Sequence, residues 1–166
     1  MKTSINPLAR TLLLTLAIAA APALARGPAT TGALATPANR IVGLWTVAAT
    51  VRPCNTTVTP RVVRNTFLFH AGGTVTENPG ALPTVTGVGR SFGIGIWNYD
   101  PESRRYGGML RFDNYRDGVY SGYTTIDRDL RLHSDDAGTG TVVVTAYNTN
   151  DVQLVQLCGT FAQTRL

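Results

Sequence analysis

From Ile41 onward the apolar residues of this chain recur at every second position, in runs bounded by Gly, Pro, Asn and Asp. Residues 61–70 are the clearest case. Val63, Asn65, Phe67 and Phe69 alternate there with Val62, Arg64, Thr66 and Leu68. A period of two predicts a strand, because successive side chains on a pleated backbone point to opposite faces. Residues 41–51 put Trp45, Val47, Ala49 and Val51 on one face. Ala71-Gly72-Gly73 is a hairpin signal that returns the chain into residues 74–77. Residues 78–89, with two prolines, break the alternation and predict a longer rim loop. Residues 87–132 read as three strands joined by turns at Asp100-Pro101-Glu102-Ser103 and Arg116-Asp117-Gly118. In the first of these, residues 91–99 are apolar on both faces, and Gly93 and Gly95 are spaced to permit bending or close approach. The last of the three, residues 119–133, is the longest run. Residues 141–147 and 152–164 complete the set, and nothing beyond residue 25 carries a 3.6-residue period.

About eight strands joined mostly by short turns predict an all-β fold, a single antiparallel up-and-down β-barrel over residues 41–166. Closing the meander removes its exposed edges. An open sandwich is the alternative, since strand patterns alone do not separate the two. The two cysteines favour closure. Cys54 ends the first strand and Cys158 sits in the last, and only a closed barrel makes those strands neighbours. Their disulfide would close a loop of about 100 residues, for which the chain-entropy argument gives roughly 4–5 kcal/mol. A redox or metal role for the pair lacks a CxxC spacing and companion histidines.

The N-terminal residues have a different pattern. Lys2 and Arg10 precede an apolar run over residues 11–20, shorter than the roughly 20 residues a membrane span requires. Ala23-Leu24-Ala25 follows, a small-x-small site. This predicts a secretory signal over residues 1–25, cleaved after Ala25, with a secreted or periplasmic product and no stable membrane span. Residues 26–40, rich in Pro, Gly, Ala and Thr, predict a flexible leader. Charge then changes the picture little. The formal net charge is +5, but Lys2 and Arg10 lie in the signal, and the rest carries thirteen Arg against ten Asp plus Glu. These arginines are spread out and interleaved with aspartates rather than clustered, which argues against nucleic acid as a partner.

With Trp45 inward, alternation assigns an interior that includes Ala49, Phe67, Phe69, Tyr106, Leu110, Phe112, Tyr120, Ile126, Leu130, Leu132, Val144, Leu157 and Phe161. Arg128 falls among them, in the inward series Tyr120, Gly122, Thr124, Ile126, Arg128, Leu130, Leu132. A buried guanidinium is costly unless paired. A bound carboxylate would pair it, and so would an inward Glu77; alternatively, a bulge would shift the register and leave Arg128 in solvent beside Asp127 and Asp129. Catalytic and metal signals are thin. His70 and His133 both fall on outer faces, His133-Ser134-Asp135 are consecutive and cannot converge as a triad, and no metal-ligand or cofactor-binding spacing is present.

Gly43-Leu44-Trp45 at the start of the first strand resembles the GxW signature of lipocalins and the wider calycin group. That resemblance implies a Trp plugging the barrel floor with a C-terminal arginine, here Arg165, packed across it. The chain also resembles a set of uncharacterised bacterial secreted β-barrel proteins that share an early GxW, a GGTxTE hairpin (ending at Glu77), a GxGxW strand (Gly93 to Trp97) and a CxT…TR ending. The calycin resemblance implies a barrel that binds a small hydrophobic or amphipathic ligand. Arg128 would anchor it, and Phe67, Phe69, Tyr106, Phe112 and Tyr120 would line the cavity. Two alternatives stand beside this expectation. One is a barrel enzyme similar to allene oxide cyclase and dirigent proteins; the other is a packed structural protein of the cell envelope.

Overall fold

A computed structural model describes residues 36–80 and 86–166. The expected signal, its cleavage site and most of the expected leader lie outside the described residues. Nine strands follow one another: β1 (Gly43–Pro53), β2 (Arg61–Phe69), β3 (Thr74–Pro79), β4 (Val88–Arg90), β5 (Gly93–Asp100), β6 (Arg105–Arg116), β7 (Val119–Leu132), β8 (Ala137–Tyr147) and β9 (Gln153–Arg165). All pairings are antiparallel. The sheet runs β4-β6-β5-β3-β2-β1-β9-β8-β7, and β6–β7 pairing closes it. Short β4 shares a barrel position with β5, since both pair with β6. The result is the expected closed eight-stranded up-and-down barrel, calycin-like in form. No helix among the described residues is long and apolar enough to cross a membrane.

Closure places Cys54, just past the end of β1, beside Cys158 within β9, and the two form a disulfide with Cα atoms 4.9 Å apart. Arg52 lies opposite Cys158 in the β1–β9 register, so the bond staples the sheet where first and last strands meet.

The chain enters at one end of the barrel, called here the floor, through a 3-10 turn at Pro37–Ile41. These residues include the last of the stretch expected to be a flexible leader, and they are held in place. Ile41 is buried beneath the barrel, and the Tyr106 hydroxyl donates to the Pro37 carbonyl. Trp45 is fully buried, and its indole Nε1–H donates to the Ile41 carbonyl at 2.7 Å. Arg165 lies across the Trp45 ring with Cζ 4.3 Å from its centroid. Its guanidinium donates to the carbonyls of Val42 (2.7 Å), Asp135 (2.8 Å) and Arg40. Trp97 also faces inward, and its Nε1–H donates to the His70 carbonyl at 3.1 Å. Phe67, Phe69, Val75, Leu110, Leu130 and Phe161 complete the packed core.

Besides a register shift between Ala146 and Tyr147 at the end of the β8–β9 ladder, two one-residue irregularities reset the inward faces. In the β6–β7 ladder Asn114 lies opposite Gly122 but Tyr115 lies opposite Tyr120, leaving Ser121 without a partner. Gly122 takes φ 126° at this bulge, a left-handed conformation that side chains resist. Residues after the bulge keep the expected alternation, so Thr124, Ile126, Arg128 and Leu130 are buried. Tyr120, before it, is turned off the interior. It is 41 % exposed and packs edge-on against Tyr115 rather than lining the barrel. The second irregularity separates β4 from β5. Arg90 pairs with Asn114 and Ile94 with Arg111, so three residues of one strand face two of the other. That extra residue brings Arg90 to the inside.

Candidate functional site

The end opposite the floor, where β1 finishes and β2 begins, is the mouth. Below it lies a cavity of about 150 Å³. Its walls are mostly aliphatic, from Val47, Ala49 and Val51 on β1, Val63 on β2, Ile126 on β7 and Val142 and Val144 on β8, with Asn65 and Arg90 as polar lining. Phe67, Phe112 and Phe161 supply aromatic surface. Exposed Arg61 also lines it, which places the opening at the rim. About 150 Å³ is the size of an apolar cavity that accepts a benzene ring.

Arg128 reaches this cavity from β7. Its position follows from the strand pairing: it stands between Gly108 on β6 and Val142 on β8, and Gly108 offers no side chain to compete for the interior. The guanidinium carbon lies 4.0 Å from the centroid of the Phe161 ring and 4.2 Å from that of Phe67. The negative faces of these rings attract the cation where water is scarce. Nη2 donates to Gln163 Oε1 at 3.0 Å. Nη1 makes no hydrogen bond with any described residue, and neither does Gln163 Nε2. Burial pushes the Arg128 guanidinium down to about 9, against an opposing pull from Glu77.

Glu77 on β3 is fully buried and pairs with Arg90, which enters from the mouth side and stacks 3.4 Å above the Phe112 centroid. Gly93 makes room for this carboxylate, since a Cβ there would sit 2.8 Å from Glu77 Oε2. Glu77 Oε1 has no hydrogen-bond partner among the described residues. Burial pushes the Glu77 carboxyl up and the Arg90 guanidinium down, and the attraction between the two opposes both shifts. Glu77 was one of the partners expected for Arg128. It influences that guanidinium through space, but its ion pair is with Arg90.

Of the residues expected to line a ligand site, Phe67, Phe112 and Arg128 border the cavity. Phe69 and Tyr106 do not. They lie toward the floor, packed around Trp97: Phe69 meets it at 6.5 Å between ring centroids and Tyr106 at 6.2 Å. The space that Phe69 and Tyr106 do line is about 10 Å³, too small for a ligand. Tyr120 is outside, for the register reason given above.

Arg90 and Gln163 were missed by the sequence reading. The period-two frame that turns Phe161 inward also turns Gln163 inward, so that signal was present. Arg90 had none, because a one-residue bulge is invisible to alternation. His70 and His133 bond outer threonines, Thr76 at 3.0 Å and Thr139 at 2.6 Å, away from the cavity. No group of three or more His, Cys, Asp or Glu among the described residues is placed to hold a metal ion.

The arrangement offers a small, largely apolar chamber bordered by a buried cation, one N–H donor of which has no partner among the described residues. No protein-family profile and no curated protein sequence matches the chain.

Proposed function

We propose that this protein is an exported calycin-like carrier or sensor that takes a small amphipathic molecule into the mouth cavity, with Arg128 as its polar anchor. One observation carries the reading: a guanidinium only 8 % exposed borders a largely apolar cavity and holds a hydrogen-bonding arm with no partner among the described residues. Buried polar groups in folded proteins are nearly always satisfied, and an unsatisfied one costs roughly 1–3 kcal/mol, more when charged. A ligand atom that accepts from Arg128 Nη1 would relieve that cost. The disulfide supports an oxidising compartment, where such bonds persist. Binding is favoured over catalysis because Glu77, the one fully buried carboxyl group, is engaged by Arg90 and does not border the cavity.

Native mass spectrometry of protein purified from the periplasm without reductant tests the reading from natural material. A co-purified small molecule, lost in Arg128→Met, is the expected result. A complementary titration follows backbone amide NMR signals with toluene and benzyl alcohol, ring compounds of the right size. Saturable shifts confined to cavity residues such as Ala49, Val63 and Val144 are expected. Absence of both an adduct and any saturable shift would refute the proposal.

A further inference from the structure

We infer that the ligand is a small monoanion, a carboxylate carried on an apolar body about the size of one ring. This rests on the binding reading above and narrows it from a size and a polarity to a charge. It is carried by a count of charges inside the barrel. The sequence has ten acidic residues, and all ten are among the described residues. Only Glu77 is buried; the others are exposed except Asp113, half-buried beside Arg111 on the outer face. Against that one carboxylate the interior holds two guanidiniums, Arg90 and Arg128. Arg90 and Glu77 neutralise each other as a contact pair. Among the described residues Arg128 is left with a neutral amide, Gln163, as its hydrogen-bond partner. One positive charge inside the barrel therefore has no protein counter-charge.

An uncompensated buried charge is among the most costly arrangements a fold can hold, and its ordinary remedy is an opposite charge in contact. The segments outside the described residues cannot supply one, because they contain no Asp or Glu. One excess charge calls for one negative charge, which a carboxylate provides and a phosphate dianion would overshoot. Donor geometry agrees. Arg128 borders the cavity and its Nη1 has no partner among the described residues, so it can donate to a ligand oxygen there. A carboxylate oxygen accepts such a donor in a charge-assisted hydrogen bond. The mostly apolar walls of the cavity disfavour a ligand that is polar throughout, and its volume limits the remainder to one ring or a short branched chain.

The test compares three compounds that share a ring and differ in charge: benzoate, benzyl alcohol and benzylamine, each titrated calorimetrically into the full protein at pH 7. Benzoate is expected to bind about tenfold or more tightly than benzyl alcohol, the size of a charge-assisted hydrogen bond, with benzylamine weakest. In Arg128→Met the advantage of benzoate over benzyl alcohol should disappear. Glu77→Gln, which removes the one interior negative charge, should strengthen benzoate and leave benzyl alcohol unchanged. The wild-type ratio decides the matter even where a variant fails to fold. Benzyl alcohol binding as tightly as benzoate would overturn the charge inference and leave the cavity reading standing. Failure of all three compounds, and of toluene, to bind would overturn the cavity reading and this inference with it.

Discussion

The two ends of this barrel each set an arginine on aromatic rings, to opposite effect. At the floor, Arg165 stacks on Trp45 and gives its N–H groups to three backbone carbonyls. Toward the mouth, Arg128 stacks on Phe67 and Phe161 but donates to one amide only, with Nη1 unengaged. Both are cations on aromatic faces. The first has its donors matched by carbonyls of the polypeptide and closes the barrel; the second is deeply buried, under-matched and borders a cavity. An arginine whose partners all come from the chain stabilises the fold. One left under-matched beside a cavity is, in the function proposed above, the anchor for a ligand.

Variants at the two ends should therefore behave differently. Removing the floor has the largest expected effect. Trp45→Ala leaves a large hole in the packed end and should cost about 3–5 kcal/mol in equilibrium unfolding. Arg165→Met strands carbonyls that it now satisfies and should cost about 2–3 kcal/mol. Arg128→Met should do the reverse. It replaces an under-matched buried charge by an apolar chain of similar length, so stability should stay level or rise by about 1–3 kcal/mol while affinity for benzoate falls. A loss of stability as large as that of Arg165→Met would erase the distinction between the two ends.

Alkaline pH sharpens the comparison, because the two ends respond with opposite sign. At the floor, burial raises the Tyr106 hydroxyl to about 12, with Tyr99 adding to the shift and Arg40 opposing it. The unfolded chain gives up this proton first. The stabilisation is thus complete below the ordinary value of about 10 and is lost as pH climbs toward 12. In the barrel interior, burial lowers Arg128 to about 9, with Glu77 opposing, so the native state gives up its proton first. Its penalty is complete below 9 and relieved above it. Wild type measured against Tyr106→Phe should lose ground between pH 10 and 12, and against Arg128→Met should gain ground above pH 9. Benzoate affinity should fall over that same range above 9, as the anchor loses its charge. The smallest effect is that of Tyr106→Phe at neutral pH. Losing the hydrogen bond to the Pro37 carbonyl should cost about 1 kcal/mol by urea unfolding.

The same contrast explains what could be read from the sequence. Alternation and turn residues together marked eight strand runs, without the short β4, most of which fell in the expected rim loop. The placing of Cys54 and Cys158 in the first and last of these runs favoured a closed barrel. Alternation also put Arg128 inside, because β7 is regular from Gly122 to Leu132. What alternation cannot register is a single inserted residue, which exchanges the two faces of everything on one side of it. Ser121 does this to Tyr120, and the step between β4 and β5 does it to Arg90. The Arg90–Glu77 pair, and with it the charge count inside the barrel, was therefore out of reach. The size of the cavity was equally hidden. It depends on how side chains such as Phe161 and Phe112 fill the space between strands, and pattern says nothing about that.

The most direct test is a paired measurement on Arg128→Met: its unfolding free energy at pH 7 and its calorimetric affinity for benzoate, each beside wild type. The account predicts a variant at least as stable as wild type that has lost its preference for benzoate over benzyl alcohol. A variant that is strongly destabilised, or one that binds benzoate as wild type does, would contradict it.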